Sequence, residues 1–197
     1  MSSLPHSPPL IPRPPTLPLL TTARMKISTR IPRVAWAAYG FALTIIALDQ
    51  LSKAWILDGL SLREIGRVLV LPPVFNLSYV ENTGVSFGLF GGGSARWFLS
   101  VFSVVVAAGL AWWATQTDRR LLISAIGLVI GGAVGNAIDR IRFGYVVDFL
   151  DFSGTGVFPW VFNIADSAIT VGVVLLILDS VLSDRRAAQV GVVHEKS

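Results

Sequence analysis

Residues 131–152 read GGAVGNAIDRIRFGYVVDFLDF, and after a short spacer residues 162–167 read FNIADS. Asn136, Asp139, Arg140, Asp148, Asp151, Asn163 and Asp166 crowd into this stretch, and apolar runs long enough to cross a bilayer flank it on both sides. Carboxylates at the ends of membrane helices are costly to dehydrate, so they point to function before packing. The competing explanation is that they cap helices and touch headgroups.

Composition sets the class. The chain has 197 residues, of which 53% are hydrophobic and only 14% charged, with mean hydropathy +0.66. A soluble domain of this length carries about a quarter charged residues. Little charge and several long apolar runs describe an all-α membrane protein forming one helical bundle. The net charge of +4 comes from short basic clusters beside apolar runs. Such clusters set membrane topology and do not resemble a nucleic-acid-binding surface. The absence of cysteine excludes disulfides, thiolate metal sites and cysteine nucleophiles. His6 and His194 both lie near the termini, which argues against a histidine base or zinc site in the bundle.

In chain order, residues 1–24 are proline-rich, which favours extended disorder, and they lack the apolar core of a signal peptide. Met25 opens a more ordinary membrane-protein start, so we expect it to be the natural first residue. Residues 1–33 then form a cytoplasmic extension. The first apolar run, Val34–Leu57, is long enough for a hydrocarbon core of roughly 30 Å and carries Asp49, Gln50 and Lys53 toward its end. Asp49 and Lys53 are four apart, in the order that favours an ion pair. Residues 58–96 contain β-branched runs, Pro72-Pro73 and a glycine-rich close, and read as short strands and turns. Asn82-Thr83-Gly84 within them has the chemistry of a turn. Further spans are predicted at Trp97–Thr115, Leu121–Ile138 and Ile164–Leu182, with a disordered tail at the end of a cytoplasmic segment 183–197. Gly127, Gly131 and Gly135 leave one face of the third span as nearly bare backbone, suited to close helix packing.

Arg24, Lys26, Arg30 and Arg33 precede the first span, Asp118-Arg119-Arg120 follow the second and Asp184-Arg185-Arg186 close the fourth. The positive-inside rule therefore puts both termini in the cytoplasm. The polar cluster then falls at the outer membrane boundary. Two carboxylates close together in a partly dry site cannot both ionise easily, so one keeps a proton. Such a pair can act as base and acid on a water between them. Asparagine amides are suited to orient the carboxylates, and Arg140 to balance charge or hold a carbonyl. A peptidase, a proton-coupled carrier and a cation pathway can each use outer-face aspartates. A carrier is disfavoured because it needs access from both sides and usually shows repeated halves. Spacing leaves Asp139, Asp148 and Asp151 open as partners of Asp166.

Four pieces between residues 34 and 182 resemble the lipoprotein signal peptidase (signal peptidase II) family. They are Asp49-Gln-Leu-Ser-Lys53; Val80-Glu-Asn82-Thr-Gly84-Val-Ser-Phe87-Gly; Gly131-Gly-Ala-Val-Gly-Asn136-Ala-Ile-Asp139-Arg140, running on to Val147-Asp148-Phe149; and Phe162-Asn163-Ile-Ala165-Asp166. Each alone means little; all four in family order form a specific pattern. The resemblance implies a catalytic dyad at Asp148 and Asp166. It implies binding or supporting roles for Asp49, Lys53, Asn82, Gly84, Asn136, Asp139, Arg140, Asn163 and Ala165. It further implies an aspartic endopeptidase of the bacterial inner membrane that cuts prolipoproteins on the amino side of a diacylglyceryl-modified cysteine. No metal or cofactor is expected, and the partners are lipidated prolipoprotein and membrane lipid. A monomer is expected. Residues 58–96 resemble the family's extracytoplasmic β-cradle and mobile helix, and globomycin-type inhibitors of the family occupy the same site.

Overall fold

The computed structural model describes residues 33–84 and 94–195. The expected N-terminal extension, the Met25 start and the Val85–Gly88 end of the second motif lie outside these residues. Four helices are long and apolar enough to cross a membrane. They are α1 (Ala35–Ala54), continued by a π-helical turn to Gly59; α3 (Ser94–Ala114); α4 (Arg120–Arg142); and α5 (Ile164–Glu195). A single-turn helix, α2 (Leu62–Ile65), follows α1. The sequence reading ends the fourth span at Leu182 and expects a disordered tail, whereas the helix continues to Glu195. No proline interrupts residues 164–195, so nothing in the backbone stops it.

Helix α4 is the hub. Its most apolar stretch is 72% buried, against 22% or less for the other three spans, and it packs on α1, α3 and α5. Small residues make this possible. A Cβ on Gly127 would lie 2.7 Å from the Ala38 carbonyl oxygen, and one on Gly131 2.6 Å from Ile45 Cβ. A Cβ on Gly135 would lie 2.7 Å from Asp49 Oδ2. The glycine face predicted for helix packing therefore receives α1, and it ends against a carboxylate. Gly132 turns to the other side, where a Cβ would collide with the Ala165 carbonyl of α5. Trp36, Leu43, Leu51, Val101, Phe102, Trp112 and Ile177 point outward, as an apolar surrounding requires.

The β-structure is broader than the segment between the first two spans. Strands β1 (Arg67–Leu71) and β2 (Phe75–Asn82) come from that segment, but β3 (Val146–Asp151) and β4 (Val161–Phe162) come from the connector between α4 and α5. Together they form one antiparallel sheet in the order β1-β2-β3-β4, with Val80 opposite Asp148 and Leu150 opposite Phe162. Ile56, Leu62, Leu77 and Phe149 form an apolar cluster beneath it. The sheet thereby joins β2, which ends at Asn82, to the connector bearing Asp148.

Candidate active site

Two local structures present the two central carboxylates. Asn163 caps α5: its Oδ1 accepts the Asp166 N–H at 2.9 Å, satisfying a helix-end donor. Asp166 thus stands in the first turn, at the positive end of the helix dipole. Asp148 lies in β3, 1% exposed, with successive strand residues on opposite faces. Phe149 enters the apolar cluster while Asp148 meets Asn163, whose Nδ2 donates to its Oδ1 at 2.6 Å.

Three asparagines orient the pair. Asn82 Nδ2 donates to Asp148 Oδ2 at 2.9 Å, and Asn136 Nδ2 to Asp166 Oδ1 at 2.7 Å. Asn163 Nδ2 also reaches Asn136 Oδ1 at 3.2 Å, tying the two arrangements together. The Gly84 N–H donates to Asn82 Oδ1 at 2.8 Å and fixes which end of that amide faces Asp148. Gly84 itself has φ +76°, and a Cβ there would fall 2.6 Å from Leu99 Cδ1 and 3.3 Å from Arg140 Nη2. Only glycine closes this turn without strain.

Behind the pair lies a buried ionic cluster. Lys53 Nζ contacts Asp49 Oδ2 at 2.8 Å and Asp139 Oδ2 at 2.7 Å, with all three side chains nearly inaccessible. The ion pair predicted within α1 is therefore present and extends to α4. Asp49 Oδ1 accepts the Ala165 N–H at 3.0 Å, and Asp139 Oδ2 the Val147 N–H at 3.1 Å. Asn136, Asp139 and Arg140, three and four residues apart on α4, face different partners, although Asn136 Oδ1 also accepts from Lys53 Nζ at 3.4 Å. Asp139 turns to Lys53, whereas Asn136 and Arg140 border a cavity of about 310 Å³ shared with Asp166. Leu99, Phe102, Val106 and Ile169 continue that cavity along the apolar spans. Buried Arg140 Nε has no acceptor among the described residues.

Burial, reinforced by the negative charge of Asp166, pushes the Asp148 carboxyl up to about 6, although the amides of Asn82 and Asn163 oppose this. Asp151 differs. Burial pushes its carboxyl up, but donors from Ser153 and Ser78, with the nearby Arg67, outweigh burial and hold it below the ordinary carboxylate range. Its oxygens are occupied by Ser78 Oγ, the Ser153 N–H and Oγ, and Arg67. It is a fastening between strand and turn. Gln50 was not singled out by the sequence reading; its Nε2 reaches Asp49 Oδ2 at 3.1 Å and Asp139 Oδ1 at 2.9 Å. The only sequence signal for it is a polar residue one turn before Lys53 in an apolar helix.

Comparisons with known proteins bear on the chain as a whole. A family model described as signal peptidase (SPase) II matches residues 41–182. The lipoprotein signal peptidase of Caulobacter vibrioides is 53% identical over 159 residues, covering 80% of this chain and 94% of that protein. The protein of the same description from Methylorubrum extorquens is 45% identical over 148 residues, covering 74% and 85%. A solved structure described as a bacterial membrane enzyme superposes with TM-score 0.64 at 30% identity, covering 76% of this chain and 90% of that one. Nearly whole relatives and a family model spanning all four helices agree, and the chain belongs to the signal peptidase II family.

Proposed function

We propose that this chain is a membrane aspartic endopeptidase with Asp148 and Asp166 as its dyad. Members of its family remove signal peptides from prolipoproteins, and so does this chain. The substrate is a prolipoprotein cut on the amino side of a diacylglyceryl-modified cysteine. One observation carries the reading: two carboxylates from separate elements are each held by asparagine amides that are themselves joined, and one of them, Asp166, lines a largely apolar cavity along the spans. A lipid-bearing peptide needs such a junction, with room for an apolar chain beside a polar reaction centre.

The chemistry follows from the two environments. Asp148 holds the shared proton, in keeping with its raised carboxyl. Asp166 takes a proton from a water molecule as its oxygen attacks the scissile carbonyl carbon. Asp148 donates its proton to the carbonyl oxygen, giving a neutral gem-diol. Collapse of that intermediate breaks the C–N bond; Asp166 delivers its proton to the leaving amine, and Asp148 recovers the hydroxyl proton. No covalent acyl-enzyme forms. Arg140 lies beside Asp166 in the cavity wall and steadies a neighbouring substrate carbonyl. The arginine clusters support cytoplasmic termini and an active site at the outer face of the inner membrane.

Purified protein in lipid or detergent should cleave a diacylglyceryl-modified prolipoprotein and spare the unlipidated precursor. Mass spectrometry should place the cut at the amino side of the lipidated cysteine, and a globomycin-type inhibitor should stop it. Equal cleavage of both precursors would overturn the substrate assignment.

A further inference from the structure

We propose that Gln50 is a positioning residue that sets the separation of the two aspartates, an inference that rests on the dyad reading. The two anchors behind the dyad are built alike. The Ala165 N–H, just before Asp166, is held by Asp49, while the Val147 N–H, just before Asp148, is held by Asp139. One carboxylate thus fastens the backbone of each half. Among the described residues, two side chains join these carboxylates to each other: Lys53 through its ammonium and Gln50 through one amide nitrogen. Gln50 Nε2 also reaches the Gly135 carbonyl at 3.3 Å, at a glycine where an added Cβ would meet Asp49 of α1.

Gln50 does not line the cavity that carries Asp166. It borders a separate void of about 110 Å³ on the other side, with Lys53, Asp58, Arg142 and Phe143. It therefore acts on the reaction through the anchors and not by touching substrate. Arg142 Nη1 donates to Gln50 Oε1 at 3.3 Å, so the amide cannot rotate its nitrogen away from the carboxylates without losing that bond. Lysine supplies charge to this junction, whereas glutamine supplies a fixed length. When Gln50 is lost, the Asp49 and Asp139 anchors remain joined by a flexible ammonium alone, and the dyad can separate.

The test is the pH profile of kcat for Gln50→Met, which keeps chain length and removes both polar atoms, with Asp148→Asn run in parallel. Charged groups facing the position are Asp49 and Lys53 from α1, Asp139 and Arg142 from α4, and Asp58 across the small void. Weaker coupling between two carboxyls brings their two apparent ionisations together. The expected result is kcat lower by roughly tenfold with KM within about twofold, since small misplacements act on the chemical step. The acid and basic limbs should move toward each other by about half a pH unit. A lower kcat with limbs superimposed on those of the unmodified protein, or kcat within twofold of it, overturns the proposal. If Gln50→Met does not fold, the same curves are taken on Gln50→Glu, which keeps the shape, and unchanged limbs there overturn it equally. Failure of both variants to fold makes Gln50 a residue of the fold and also overturns it. Cleavage by Asp148→Asn would instead overturn the dyad itself.

Discussion

Replacing Asp148 by asparagine removes one titrating carboxyl with almost no change of shape, which makes its electrostatic setting measurable as stability. Burial and the charge of Asp166 raise this carboxyl from the ordinary 3.8 to about 6. A raised carboxyl pKa means that the native state holds the proton more tightly than the unfolded chain. That advantage is complete below about pH 4 and is lost as pH rises through about 6. The interval of about 2 pH units corresponds to roughly 3 kcal/mol at 1.36 kcal/mol per unit. In the Asp148→Asn variant this dependence is absent. Its new amide faces the donors of Asn82 and Asn163, a penalty nearly constant with pH that leaves the slope unaffected. Stability can be followed in micelles through the six tryptophans. The variant should gain roughly 3 kcal/mol on the unmodified protein between pH 4 and 7, then run parallel to it. A difference that stays flat over that range, or that grows in favour of the unmodified protein, refutes the description of the site.

Other substitutions separate positioning from fastening. Asp151→Asn should weaken the turn by about 1–2 kcal/mol and leave cleavage within a few-fold of normal, because its partners are Ser78, Ser153 and Arg67. Its carboxyl is held low, so its contribution is present at neutral pH and is lost as pH falls below the ordinary 3.8. Thermal melts paired with a cleavage assay check both statements. Gly132→Ala should cost about 1–3 kcal/mol of stability. It should also reduce kcat more than Gly127→Ala, since it drives a methyl into the carbonyl of Ala165, the residue before Asp166. A comparison of kcat per folded molecule decides, and a larger loss for Gly127→Ala would contradict the placement of α5.

The spans could be read from the sequence because long apolar runs closed by arginine clusters leave little choice in a bilayer. Most helix ends shifted by a few residues, since fraying and capping depend on neighbours, whereas α5 runs well past Leu182 to Glu195. The sheet was only half legible. β1 and β2 announce themselves through β-branched runs, whereas Val146–Asp151 is buried along nearly its whole length and does not alternate. β4 is two residues long and exists only through β3. Asp148 could not be paired with Asp166 by spacing, because they lie on a strand and on a helix brought together by the α4–α5 connector. Only the resemblance selected that pair. Asp49 and Lys53 were legible as an ion pair, but their link to Asp139 depends on how α1 seats on the glycine face of α4. The contacts of Gln50 were illegible for the same reason, since Gly135, Asp139 and Arg142 lie across that interface.

The central claim is that Asp148 and Asp166 together break the peptide bond. It is tested most directly by the initial rate of cleavage of a lipidated prolipoprotein by Asp148→Asn, Asp166→Asn and Asp151→Asn, each shown to be inserted in the membrane at normal levels. The account predicts no detectable product from the first two and a rate within a few-fold of normal from the third. Near-normal cleavage by either Asp148→Asn or Asp166→Asn would contradict it.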